Sequence, residues 1–229
     1  MIAGLAAGSV HVLAGADHLA AVLPLAANSR RGGAWATGAR WGLGHVAGVL
    51  FVGTAALALR GTFPVEGLSA WSERLVGVAL IGMGLWAMRR AFQLQIHAHE
   101  HTHDDERHVH LHVHGPEGAP DTPRHDHGRA ASHDHGHAAF GVGVLHGLAG
   151  SGHLLGVLPA LALPTAQAAL YLAAFGIATL AAMTAFSGSV GWAAVRLAHR
   201  AGAAYRALLG ASGVAAATVG VIWLGTHAS

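Results

Sequence analysis

Long apolar runs broken by short polar or Arg-bearing stretches divide the chain into six segments, with one strongly polar interval near the middle. The segments fall at 2–27, 36–59, 71–90, 138–163, 166–192 and 204–225, each long enough as a helix to cross about 30 Å of hydrocarbon. None carries the polar stripe that an amphipathic helix of a soluble protein needs. Trp35, Trp71, Tyr171, Trp192 and Trp223 fall near segment ends, where an amphipathic ring prefers the membrane interface. The pattern predicts three organisational units: residues 1–92, a first set of three membrane helices; 93–137, a polar loop; and 138–229, a second set of three.

Composition sharpens this picture. Of 229 residues 53% are hydrophobic and only 10% charged, too few charges to cover a water-facing surface of this size. Cysteine is absent, which excludes a disulfide framework and a thiolate metal site. The basic residues are thirteen Arg and no Lys against eleven acids, and they sit at segment ends rather than on one face, so no nucleic-acid partner is read from them. With six spans, the connections after the first, third and fifth share a side. That side holds Arg30, Arg31, Arg40, Arg89, Arg90, Arg107, Arg124, Arg129, Arg196, Arg200 and Arg206, and the other only Arg60 and Arg74. The positive-inside rule then puts both termini outside and the polar loop in the cytoplasm of an inner cell membrane. The first segment lacks a basic start and carries Asp17 and His18, so it reads as mature structure rather than a leader.

One phrase occurs twice. His11-Val-Leu-Ala-Gly-Ala-Asp-His-Leu-Ala-Ala-Val-Leu-Pro24 returns 135 residues later as His146-Gly-Leu-Ala-Gly-Ser-Gly-His-Leu-Leu-Gly-Val-Leu-Pro159, with 9 of 14 positions identical. Three spans per copy is an odd number, so the second copy enters the bilayer upside down. The fold expected is an all-α integral membrane protein of six transmembrane helices arranged as two inverted three-helix repeats, a plan whose sites lie near the midplane. Gly4/Gly8, Gly44/Gly48 and Gly143/Gly147 are spaced for close helix contact.

Thirteen of the twenty histidines lie between Gln93 and His137. Two alternating runs stand out: His97, His99, His101 and His103, then His108, His110, His112 and His114. Such a segment cannot bury a core and is expected to lack fixed structure when metal-free. Alternating imidazoles suit capture of a borderline divalent ion rather than Mg or Ca.

The histidines within the spans are more telling, because ionisable groups at membrane depth usually face a bundle interior or a water-filled path. His11, Asp17, His18, His45, His146 and His153 form the candidate metal set. Running the two copies antiparallel puts His11 level with His153 and His18 level with His146. A straight helix would separate His11 from His18 by roughly 10.5 Å, too far for one ion with nitrogens at about 2.0–2.1 Å. Either the helix breaks near Ala14–Gly15 or the two layers are successive stations.

These residues resemble the nickel/cobalt transporter superfamily, whose helices carry His, four residues and Asp-His, and, on a second helix, Gly-His, matched here by Gly44–His45. The resemblance implies metal recognition by His11, Asp17, His18 and His45, with Ni²⁺ or Co²⁺ as transported substrate. The His-rich loop looks like that of the efflux branch. Here five residues, not four, separate His11 from Asp17, which rotates His11 by about 100° on a regular helix. In the second half Gly152 replaces the acid. The function expected is a nickel or cobalt transporter working by alternating access, in either direction. The alternative is a membrane-bound nickel-binding accessory or storage protein. Partners expected are the divalent ion, membrane lipid and a cytoplasmic metallochaperone. An enzyme is not expected, since no His-Glu-x-x-His phrase or neighbouring Glu base occurs.

Overall fold

The computed structural model describes residues 1–29, 33–59, 65–93, 95–103, 106–114, 135–149, 156, 159–160 and 162–226. Among them are helices α1 (Ile2–Ala14), α2 (Ala16–Ala27), α3 (Ala34–Leu59) and α4 (Val65–Gln93). Two strands follow, β1 (Gln95–His103) and β2 (Glu106–His114), then α5 (His135–Leu148), α6 (Thr165–Arg200) and α7 (Gly202–Thr226).

Size is sorted in the reverse of a soluble core. Val10, Leu13, Leu43, Phe51, Val78, Leu85, Ile177 and Ile222 stand exposed on the outer faces, while many buried positions are small, such as Ala20, Ala21, Ala26, Ala139 and Ala216. Large apolar side chains facing out and small ones facing in is the arrangement of helices that meet lipid and pack by close approach. The chain is a membrane protein on this sorting and on helix length. Among the described residues three helices are long and apolar enough to cross: Ala70–Gln93, Thr165–Ala198 and Gly202–Thr226, with a fourth span if α1 and α2 count as one. Of the six spans expected, these are the ones carried by the described residues. At 14 residues α5 reaches only roughly 21 Å, and most of 150–161 lies outside the described residues.

Three pairings build the bundle: α1 against α6, α3 against α5, and α4 against α7, with α3 also crossing α6. The expected glycine pairs sit in these contacts. A Cβ on Gly4 or Gly8 would meet the Tyr171 or Phe175 carbonyl of α6, and one on Gly44 or Gly48 the Phe140 or Val144 carbonyl of α5. Hydrogen therefore serves as the side chain where backbones touch. At the far end of the bundle Arg90 donates to the Asn28 side chain at 3.2 Å, joining the end of α2 to α4.

The loop differs from the structureless segment expected. Residues 95–114 form an antiparallel ribbon whose register sets His97 opposite His112, His99 opposite His110 and His101 opposite His108. Ile96, Ala98, Val109, Leu111 and Val113 alternate with the histidines, and that period of two is a strand pattern. His103 pairs with Glu106, and His114 with Gln95. His125, His127 and His133 lie outside the described residues.

Candidate metal centre

The centre starts from a break in the first helix. α1 ends at Ala14, Gly15 takes an extended conformation (φ −78°, ψ 96°), and α2 restarts at Ala16. The two segments bend by 69°. The space at Gly15 explains the residue: an added Cβ would collide with His18 Nδ1 and lie 3.0 Å from the His11 carbonyl and 3.1 Å from Asp17 Oδ1. The bend folds His18 back over His11, so their ring centroids are 4.6 Å apart. Of the two alternatives the sequence left open, the broken helix is the one formed, and His11 and His18 do not occupy separate layers. The 100° rotation expected of His11 on a regular helix is likewise removed by the break.

His45 comes to the same place from the middle of α3. Its Nε2 lies 3.4 Å from His11 Nε2, and its ring centroid 5.0 Å from that of His18. Trp41, one turn earlier on α3 and fully buried, lies flat on His45 at 5.1 Å and 8°. It also meets His18 edge-on at 5.5 Å and the tilted ring of His146 at 5.3 Å. This indole was not anticipated from the sequence; its i, i+4 spacing to His45 was the available signal.

Asp17 opens α2, where a carboxylate is favoured by the helix dipole. It accepts two hydrogen bonds, from His18 Nδ1 at 3.1 Å and from His146 Nε2 of α5 at 2.7 Å. Both imidazoles are buried, and Asp17 nearly so. Giving its Nδ1–H to Asp17 fixes the His18 tautomer in which Nε2 is the basic nitrogen, as in carboxylate–histidine–metal arrangements.

Two sets of potential ligands therefore share His18: His11, His18 and His45, and Asp17, His18 and His146, with donor atoms within 4.8 Å in each. They differ in spacing. Two nitrogens on one tetrahedral ion at 2.0–2.1 Å stand about 3.3 Å apart. The His11–His45 separation matches that value and is long for an N–H···N bond. The Asp17–His146 distance is a hydrogen bond instead. His153, the remaining intramembrane candidate, lies outside the described residues. For the loop histidines, from His97 to His114, the ribbon fixes register alone. Glu73 on α4 is a second buried carboxylate that the sequence reading passed over.

No protein-family model matches the chain, and no solved structure matches it. Two curated proteins of Arabidopsis thaliana do. Chloroplast protein FOR GROWTH AND FERTILITY 2 is 33% identical over 192 residues, covering 82% of the chain and 46% of that protein. Chloroplast protein FOR GROWTH AND FERTILITY 1 is 31% identical over 189 residues, covering 82% and 48%. The chain thus spans about half the length of the curated relatives it matches. The expected function, a nickel or cobalt transporter with a nickel-storing accessory protein as alternative, is corrected by this finding. The relatives are chloroplast proteins named for growth and fertility. The phrase that suggested nickel was itself one residue out of register.

Proposed function

We propose that the chain is a membrane-embedded binding protein for one zinc-like divalent ion. His11, His18 and His45 are its ligands, and Asp17 and His146 orient and charge-balance them. The observation that carries this reading is the Nε2–Nε2 separation of 3.4 Å between His11 and His45, with His18 against both rings. Two buried imidazoles, a half-buried one at His11 and a carboxylate suit zinc-like ions rather than Mg or Ca. The ion's charge would also justify placing these groups in a low-dielectric bundle. The role is binding rather than catalysis, because the Asp17 carboxylate is committed to two imidazoles and is not placed to serve as a base.

The architecture proposed around the site is two inverted three-helix halves. It is supported by reciprocal pairings, α1 on α6 matched by α3 on α5. Across the α4–α7 pair, Gly84 meets the Gly213 carbonyl and Gly213 the Gly84 carbonyl. The Arg-rich side, with the His ribbon, is the side retained by the positive-inside rule. The relatives are named as chloroplast proteins, so the host membrane need not be the inner membrane of a cell.

The test uses the 229-residue chain with the twelve histidines between positions 97 and 135 replaced by Asn, so that the loop cannot compete. In detergent it should take up one Zn²⁺ per chain by calorimetry and elemental analysis, and His18→Ala should abolish uptake. Failure of the parent to bind, or binding unchanged by His18→Ala, overturns the reading.

A further inference from the structure

The three ligand imidazoles, His11, His18 and His45, all come from the first half of the chain, with His146 of the second half reaching them through Asp17; a buried hydroxyl of α6 lies at the same level. Thr179 is fully buried. Its Oγ1 meets no hydrogen-bond partner among the described residues, although Thr184, further along the same helix, donates to its own helix at Leu180 O, 2.7 Å away. A buried hydroxyl without a partner is costly, on the order of 1–3 kcal/mol, so its surroundings call for an explanation.

Three sets of contacts place it. Along α1, Gly4 meets Tyr171 and Ala174, and Gly8 meets Phe175 and Ala178; α1 and α6 therefore advance together, and His11 falls level with residues around 179. Along α3, Gly38 meets Met183 and Ser187, Gly42 meets Leu180 and Met183, and Gly176 meets Val46. Those helices run oppositely, and His45 also falls level with residues around 179. At about 100° per residue, Thr179 projects roughly midway between the α1-facing row (171, 174, 175, 178) and the α3-facing row (176, 180, 183, 187). That direction points into the seam where His11 and His45 meet. Phe175, one turn earlier, lies against the His11 ring at 5.4 Å, as this placement requires.

We infer that Thr179 is a ligand contributed to the ion site by the second half, beside the orienting role of His146. Its hydroxyl oxygen faces the His11, His18 and His45 group and occupies the fourth, non-histidine side of the bound ion. The inference rests on the reading of that group as a metal site and adds a specific oxygen donor to it.

The experiment uses the same 229-residue chain with the loop histidines replaced by Asn, and Co²⁺ as a spectroscopic stand-in for Zn²⁺. Thr179→Val, which keeps the shape and removes the hydroxyl, should weaken Co²⁺ binding by about 10–100-fold, the usual effect of losing a supporting group, and alter the visible d–d bands. Thr179→Ser should restore both. Because the chain has no cysteine, Thr179→Cys would introduce its only thiol, and a thiolate-to-cobalt charge-transfer band should follow Co²⁺ addition. This readout holds even if the Val variant fails to fold. Wild-type affinity and spectrum in Thr179→Val, or no charge-transfer band in a Thr179→Cys chain that binds Co²⁺, overturns the inference while leaving the histidine site standing. Absence of Co²⁺ binding in the parent chain would instead remove the site itself, and this inference with it.

Discussion

His11 and His18 are seven positions apart in sequence, yet their ring centroids stand 4.6 Å apart and nearly perpendicular, at 79°. A continuous helix would hold them roughly two turns apart. The difference comes from one residue, Gly15, and the centre depends on it.

Gly15→Ala should therefore disable the site without unfolding the bundle. The added methyl would strike His18 Nδ1 and crowd Asp17 Oδ1 at 3.1 Å, forcing His18 away from its partner. A loss of about 10–100-fold in Zn²⁺ affinity is expected, since the damage is to ligand orientation. Calorimetry would measure it, with unchanged helical circular dichroism as the control. Wild-type affinity would show that His18 does not need the contact.

Much of this was legible in the sequence, and the reasons for the remainder are physical. The glycine pairs were readable because close helix approach demands small residues four apart, and Gly4/Gly8 and Gly44/Gly48 do lie against neighbouring carbonyls. The break at Gly15 was readable only as one of two options, because a ligand distance needs a bend and the sequence does not state which bend forms. Trp41 was missed because an indole within an apolar run looks like filler until its plane is seen on His45. Thr179 was missed because a lone hydroxyl in a helix ordinarily bonds its own backbone. The loop was read as structureless because its composition is polar, although its period of two is that of a strand.

Asp17→Asn should weaken binding while leaving the three imidazoles in place. The amide keeps one acceptor oxygen where the carboxylate offers two, so either His18 or His146 meets an NH₂ group instead. An affinity loss of about 10–100-fold is expected from the altered support, short of the complete loss expected for His18→Ala. Equal effects from the two variants would make Asp17 a ligand rather than an orienting group.

Gly147→Ala tests the packing that brings α5 to α3. A Cβ there would meet the His45 carbonyl and approach Val49 N at 2.9 Å, with backbone that cannot rotate away. Destabilisation of about 1–3 kcal/mol is expected for overpacking of this kind, measured by reversible unfolding in mixed detergent. Gly141→Ala is the matched control, since nothing lies within 4 Å of its added Cβ, and it should be neutral.

Trp41→Leu should loosen the centre from outside the ligand set. The indole lies 5.1 Å from the His45 ring and nearly parallel to it, and it also borders His18 and His146. A smaller, flexible side chain leaves His45 free to turn. Zn²⁺ affinity should fall while stoichiometry stays at one. Stability should drop by less than the ~3–5 kcal/mol typical of Trp→Ala. An unchanged affinity would mean that the indole merely fills space.

His45→Ala and His146→Ala separate the two ligand sets that share His18. If the ion sits among His11, His18 and His45, His45→Ala removes a coordinating nitrogen, and binding should be lost. His146 touches Asp17 at 2.7 Å, a distance for proton sharing and too short for two donors on one ion at the tetrahedral spacing of about 3.3 Å. His146→Ala should therefore cost only the weaker support, about 10–100-fold. The reverse order, with His146→Ala abolishing binding and His45→Ala sparing it, would move the ion to Asp17, His18 and His146. It would also require the Asp17–His146 pair to open by more than half an ångström (~0.6 Å against that tetrahedral spacing) before any ion could enter.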